Sequence, residues 1–77
     1  MNDRQVLGHI QQLIDEEDRL HEHGHINDDE RAKLAAIKIE LDQCWDLLRQ
    51  RRALRDAGGD PDQATVRAPG TVENYQQ

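Results

Sequence analysis

Residues 34–48 read LAAIKIELDQCWDLL, and this stretch decides the fold. Its apolar positions lie alternately three and four residues apart: Leu34, Ile37, Leu41, Cys44 and Leu48. An earlier stretch, VLGHIQQLIDEEDRL at residues 6–20, has similar spacing at Val6, Ile10, Leu13 and Leu20. Such steps are typical of amphipathic helices packed side by side. The sequence therefore predicts an all-α fold, an antiparallel two-helix hairpin.

Capping and turn residues set the boundaries of the two predicted helices. Asn2 or Asp3 can cap the first helix, and Gly24 supplies the left-handed residue that commonly ends one. Asn27, three residues before Glu30, resembles a capping box. We expect a hairpin over residues 1–57, with helix 1 at about 3–23, a turn at 24–27 and helix 2 at about 28–56. Residues 58–77 are predicted to form a largely irregular tail, flexible or loosely docked.

The chain has little apolar surface with which to stabilise a single hairpin. It has 77 residues, of which 35% are hydrophobic, and it has no phenylalanine. Chains of this size usually need disulfides, a metal or self-association. Cys44 is the single cysteine, so an internal disulfide is impossible, and we interpret it as a buried structural residue of a cytoplasmic protein. We therefore expect a homodimer, a four-helix bundle whose interface holds Trp45, Leu47, Leu48 and Leu54.

Charge is distributed unevenly along the chain. The net charge is −6; residues 1–30 carry nine acidic and two basic side chains, whereas residues 31–57 carry four acidic and seven basic ones. This net acidity argues against general affinity for nucleic acids. No apolar run approaches the roughly 20 residues that span a bilayer, and the N-terminus does not resemble a signal peptide. We expect no membrane contact.

The arginines near the end of helix 2 are the strongest candidate for a partner surface. The predicted partner-binding residues are Arg49, Arg51, Arg52, Arg55 and Trp45. Guanidinium groups suit an acidic protein partner, and nucleic-acid phosphate is the alternative. The ordinary explanation is a solvated helix end matched to the helix dipole. In an antiparallel dimer, Arg51 and Arg52 could also reach the acidic residues 15–18 of the other chain.

Two further patterns bear on metal binding and catalysis. Glu17, His21, His23 and His25 are candidate ligands for a divalent metal, and the alternative is a polar helix end in which Glu17 forms an ion pair. A catalytic cysteine needs an adjacent base and a lowered pKa, and the pattern around Cys44 supplies neither. We expect no cofactor, no catalytic residues and no enzymatic activity.

Residues 41–53, LDQCWDLLRQRRA, are distinctive as a run, as are Gly59-Asp-Pro61 and Val72-Glu-x-x-Tyr75. With the acidic segment at 15–18, they resemble a family of short uncharacterised actinobacterial proteins, domain of unknown function 2630, over nearly the whole chain. The resemblance implies a small helical protein and carries no activity with it. It also implies that one cluster of residues is characteristic of the family: Asp42, Gln43, Trp45, Arg49 and Arg52.

These observations favour a non-enzymatic interaction protein that self-associates and binds a larger cytosolic partner. One alternative is a nucleic-acid-associated protein that uses the arginine-rich end of helix 2. The other is divalent-metal binding by the glutamate and histidine cluster near the turn.

Overall fold

The computed structural model describes residues 2–22 and 24–74, and every regular element in that range is helical. Helix α1 spans Asp3–His21 and helix α2 spans Asp28–Asp56. A short 3-10 helix follows at Pro61–Gln63, and helix α3 spans Pro69–Asn74. Helices α1 and α2 pack against each other as an antiparallel pair. The all-α helical hairpin predicted from the sequence is confirmed.

Side-chain caps determine where both long helices begin. The Asn2 side chain accepts a hydrogen bond from the Gln5 backbone N–H at 2.8 Å, and the Gln5 side chain accepts one from the Asn2 backbone N–H at 2.9 Å. Asn27 and Glu30 make the same reciprocal pair at the start of α2. Each pair satisfies two backbone donors that the helix itself leaves free. The turn between the helices contains Gly24 in the left-handed conformation, with φ of 66°.

The core lies between α1 and the inner side of α2. Its buried members are Val6, Ile10, Leu13, Ile37, Cys44 and Leu47. Sequence reasoning placed Leu47 on an outer edge that a second chain would have to cover. The structure instead buries Leu47 in the core of the single chain, because α1 and the residues after α2 both pack around it. Leu47 is therefore unavailable as a dimer contact in this conformation.

The C-terminal segment, residues 60–74, runs back along α2 and is docked onto it. Gln50 donates a hydrogen bond from Nε2 to the Thr65 carbonyl oxygen at 2.8 Å, and Gln43 donates one to the Arg67 carbonyl oxygen at 3.1 Å. Val72 is buried at the far end of the segment. The sequence left a flexible or a loosely docked tail open; in residues 60–74 the tail is docked through specific hydrogen bonds.

A buried ion pair completes this attachment. Asp46 is 2% exposed and accepts hydrogen bonds from Gln50 and from both Nε and Nη2 of Arg67. These bonds hold the pKa of Asp46 below its ordinary value, with the Arg67 contact as the largest cause, so the carboxylate stays charged. The pair joins a side chain of α2 to the middle of the C-terminal segment.

Candidate protein-binding groove

One face of the hairpin is left open. The molecule is elongated, with extents of 48 × 27 × 15 Å along its principal axes. The C-terminal segment packs on the side of α2 that carries Gln43, Asp46 and Gln50. Trp45 and Leu48 project from the side turned away from the segment, because 3.6 residues make one turn.

Apolar side chains form a stripe along this face, which we call the open face. Leu7 and Trp45 are 48% and 47% exposed. The other members, Ile14, Leu41 and Leu48, are partly buried against the core. Leu7 and Ile14 are seven residues apart on α1, and Leu41 and Leu48 are seven apart on α2, so each pair lies two turns apart on one side of its helix. The open face therefore consists of Leu7, Ile14, Leu41, Trp45 and Leu48.

A groove of about 430 Å³ crosses the open face near the C-terminal end of α2. We call it the Trp45 groove; its lining residues are Asp3, Leu7, Trp45, Leu48, Arg49, Arg52 and Arg55. An exposed tryptophan with an apolar neighbour and arginines around it is typical of the residues that dominate protein interfaces. The groove suits a partner that offers an apolar side chain beside carboxylates.

The arginine run predicted as one surface is divided between two sides of α2. Arg51 is only 6% exposed and donates from Nε to Asp3 Oδ1 at 2.5 Å. Its Nη1 donates to Asp62 Oδ1 at 3.0 Å and to the Pro61 carbonyl oxygen at 3.1 Å. The structure thus places Arg51 inside an intramolecular network that joins α1, α2 and the C-terminal segment. It does not lie on the groove.

Arg55 and Arg52 differ in whether they form an ion pair with an acidic side chain of the same chain. Arg55 lines the groove but donates from Nη1 to Asp3 Oδ2 at 2.7 Å. The bonds from Arg51 and Arg55 hold the pKa of Asp3 below its ordinary value. Arg52 is exposed and has no ion-pair partner among the residues that the structure describes. Arg52 is therefore the cation of the groove that is most available to a partner.

Leu54 is the other predicted interface residue that lies away from the groove. It is half-buried at the end of α2, where its backbone oxygen accepts a hydrogen bond from the Gly59 N–H at 2.7 Å. Trp45 and Leu48, by contrast, are both in the groove lining. The structure therefore brings two of the four predicted interface residues onto the open face.

The predicted metal ligands are not gathered into a site in the described part of the chain. Among residues 2–22, 24–70 and 72, whose side chains the structure describes, no group of three or more histidine, cysteine, aspartate or glutamate side chains is placed to hold a metal ion. That range includes Glu17, His21 and His25, whereas His23 lies outside the described residues. Zinc sites need four ligands, or three and a water.

Cys44 lies in the core, and its surroundings keep the thiol protonated. Burial raises the pKa of the Cys44 thiol, and the nearby Glu40 carboxylate raises it further. His9 is paired instead with Glu40, with Nε2 and Oε1 3.0 Å apart. A nucleophilic cysteine needs a lowered pKa, so this arrangement favours the structural role expected for Cys44.

Sequence reasoning missed two parts of this site. Leu7 is not among the apolar positions that the helical spacing singled out, although its separation of seven residues from Ile14 marks a second line of apolar positions along α1. The Asp46–Arg67 pair had no local signal, because 21 residues separate its members. That pair matters to the groove because it holds the C-terminal segment on the other side of α2.

Fold and site together define a small all-α protein with one apolar, arginine-rimmed groove on an open helical face. The chain belongs to the family described as Protein of unknown function (DUF2630), whose model matches residues 2–77. It is similar to uncharacterised proteins of Mycobacterium bovis and of two Mycobacterium tuberculosis strains. Each is 53% identical over 77 aligned residues, which cover 95% of this chain and 88% of the relative. No solved structure matches the chain.

Within the described residues, none of the helices has the length and apolar character required to cross a bilayer. The long helices carry charged side chains throughout; α2 alone contains Glu40, Asp42 and Asp46 within seven residues.

Proposed function

We propose that this chain is a non-enzymatic interaction protein whose open face binds a second copy to form a homodimeric four-helix bundle. The observation that carries the proposal is the half-exposure of Leu7 and Trp45, which line the same groove on the open face. Stable domains generally bury the apolar side of each helix between two packed layers. A second hairpin would cover the apolar side chains that the first hairpin leaves half-exposed.

Apolar burial is the main driving force in this assembly. Covering a large apolar side chain completely contributes about 1.5–3 kcal/mol, and the two half-exposed residues of each copy gain part of that amount. A two-fold interface uses the same face of both copies, so every contact counts twice. Exposed ion pairs contribute only about 0–1 kcal/mol each and cannot replace this term.

The proposal includes a cytoplasmic location. Cys44 is a buried free thiol without a second cysteine to oxidise with. Such a residue is compatible with the reducing cytoplasm, where disulfides are rare.

Sedimentation equilibrium of a Trp45→Glu variant tests the self-association. Trp45 is outside the buried core, so the substitution should leave the helical content unchanged and place a charge in the interface. We expect a concentration-dependent dimer for the natural chain and a monomer for Trp45→Glu. Val66→Glu is the matched control, since Val66 is 59% exposed on the C-terminal segment and lies outside the open face. Dissociation by both variants, or by neither, would contradict the assignment of this face.

Binding of a larger protein partner is the second part of the proposal. The Trp45 groove would accept an apolar side chain of the partner, and Arg52 would pair with a neighbouring carboxylate. The partner would therefore bind a single chain, in place of the second copy. Quantitative affinity capture with the natural chain, Trp45→Glu, Arg52→Glu and Val66→Glu tests it. A partner of this groove is lost with the first two variants and retained with the third.

The alternative functions have less support. A phosphate-binding surface would need several available arginines, but Arg51 and Arg55 both bond to Asp3. A steeply salt-dependent association with RNA or DNA, abolished by Arg52→Ala, would favour nucleic-acid binding instead. A thermal shift on addition of zinc, abolished by His21→Ala, would favour metal binding.

A further inference from the structure

We infer that the two copies pair in antiparallel orientation, so that the arginine end of each open face lies against the acidic turn end of the other copy. This inference rests on the proposed self-association and names the geometry of the second copy in the groove. The arginine end is the part of the face around Arg49, Arg52 and Arg55. The turn end is the part near the connection between α1 and α2, around Asp18.

The two ends of the open face carry opposite charge. The arginine end has the three cations that line the Trp45 groove and one carboxylate, Asp3, which is paired with Arg55. At the turn end, Asp18 lies eleven residues after Leu7, about three helical turns along the same side of α1. Asp18 is exposed, and among the described residues its carboxylate has no ion-pair partner. Asp15 and Glu22, about one turn before and one turn after Asp18, are exposed as well. These three carboxylates outnumber the two cations, Arg31 and Lys38, that α2 places at this end on the same side as Trp45.

Only two symmetric arrangements can lay one open face on another. If the two-fold axis runs along the helices, both arginine ends meet each other and both acidic ends meet each other. If the axis runs across the helices, each arginine end meets an acidic end. Like charges brought together are unfavourable and opposite charges are favourable. Charge therefore selects the second arrangement, in which the copies are antiparallel.

The spacing of the residues agrees with this arrangement. Leu48 and Arg52 are four residues apart on α2, and Ile14 and Asp18 are four residues apart on α1. Each step is about one turn, or 6 Å, in the direction away from the centre of the face. In the antiparallel pair, the step from Leu48 to Arg52 in one copy runs in the same direction as the step from Ile14 to Asp18 in the other copy. When Leu48 of one copy lies level with Ile14 of the other, Arg52 lies level with Asp18.

Charge reversal distinguishes the two orientations by the sign of its effect on the dimer dissociation constant. In the antiparallel dimer, Arg52→Glu puts a carboxylate against the acidic turn end at both ends of the interface, and we expect dimerisation to weaken about tenfold. In the parallel dimer the same change would relieve repulsion and tighten the complex. Adding Asp18→Arg to Arg52→Glu restores opposite charges at both ends, so the double variant should recover most of the affinity.

Arg19→Glu is the control, because it makes the same change in net charge on the outer side of α1, where its effect should stay within about twofold. The Arg52→Glu effect should also shrink in 1 M NaCl, where the screening length is about 3 Å. Far-UV circular dichroism verifies that each variant is folded.

Three results are distinguishable. Weakening by Arg52→Glu with recovery in the double variant supports the antiparallel pair. A dimer that Trp45→Glu dissociates but Arg52→Glu tightens or leaves unchanged overturns the orientation and leaves the proposed function standing. A natural chain that stays monomeric at millimolar concentration overturns both.

Discussion

Removal of the Arg67 side chain should leave a negative charge stranded in the interior. Asp46 is 2% exposed and receives two hydrogen bonds from the Arg67 guanidinium, at Oδ1 and Oδ2, and one from Gln50. In Arg67→Ala, the bond from the Gln50 amide is the one of these three contacts that Asp46 keeps. The variant therefore tests whether the C-terminal segment is held by this pair.

The expected cost follows from how well the pair is buried. Breaking a fully buried ion pair on one side costs about 3–5 kcal/mol, because the remaining charge is uncompensated. The Arg67 side chain is 38% exposed, so water can replace part of its contact with Asp46. We therefore expect the free energy of unfolding to fall by about 2 kcal/mol in Arg67→Ala at neutral pH.

The pH dependence provides a second measure of the same interaction. The folded state holds the pKa of Asp46 below its ordinary value of 3.8. The pair's contribution to stability is therefore complete above that value and is lost as the pH falls from about 3.8 through the lower pKa of the folded protein. The difference in stability between the natural chain and Arg67→Ala should be largest at pH 7 and should narrow in this acidic range.

Urea unfolding followed by circular dichroism at 222 nm measures these quantities, at one fixed protein concentration since self-association adds to stability. Asp46→Asn combined with Arg67→Ala is the informative control, because it removes the charge that the single variant strands. The double variant should be more stable than Arg67→Ala at pH 7. An Arg67→Ala variant that loses less than about 0.5 kcal/mol, or a double variant that is no better, would refute the reasoning.

Three further predictions concern the hairpin itself. Gly8→Ala should raise the free energy of unfolding by about 0.5–1 kcal/mol in a urea titration, because Gly8 lies within α1 and a Cβ there has no neighbour within 4 Å. Asn27→Ala should lower it by about 1 kcal/mol, since it removes the side-chain half of the cap on α2; Asn27→Asp, which keeps an acceptor oxygen, should lose much less. Cys44 should react slowly with a thiol reagent in the native state and quickly in urea, because burial raises the pKa of its thiol; equal rates would contradict its place in the core.

The helices were predictable because their signals are local. The stripe that includes Ile37, Leu41 and Cys44 has helical spacing, and Asn27 with Glu30 is a capping pair within four residues. Each signal depends on neighbours within one or two turns, where helix geometry is known in advance. The two-helix hairpin follows from two such stripes joined by a short turn.

The contacts that the arginines make at the end of α2 were not predictable from such local signals. Arg51 and Arg52 are adjacent in sequence, so each points about 100° away from the other around α2. Whether that direction meets Asp3 and Asp62 or open solvent depends on where α1 begins and where the C-terminal segment returns. Neither position is encoded by the arginine run. The burial of Leu47 had the same obstacle, because the sequence of the C-terminal segment that packs near it has no helical spacing of apolar residues.

The contacts that Gln43 and Gln50 make on the C-terminal segment end on carbonyl oxygens of Arg67 and Thr65. A main-chain oxygen is present whichever amino acid occupies the position. Substitution of residue 65 should therefore leave these hydrogen bonds intact. Replacement of either glutamine by a residue without an amide donor should weaken the attachment of the C-terminal segment to α2. The two glutamines hold the main chain of the segment in position, and the amino acid at position 65 can vary.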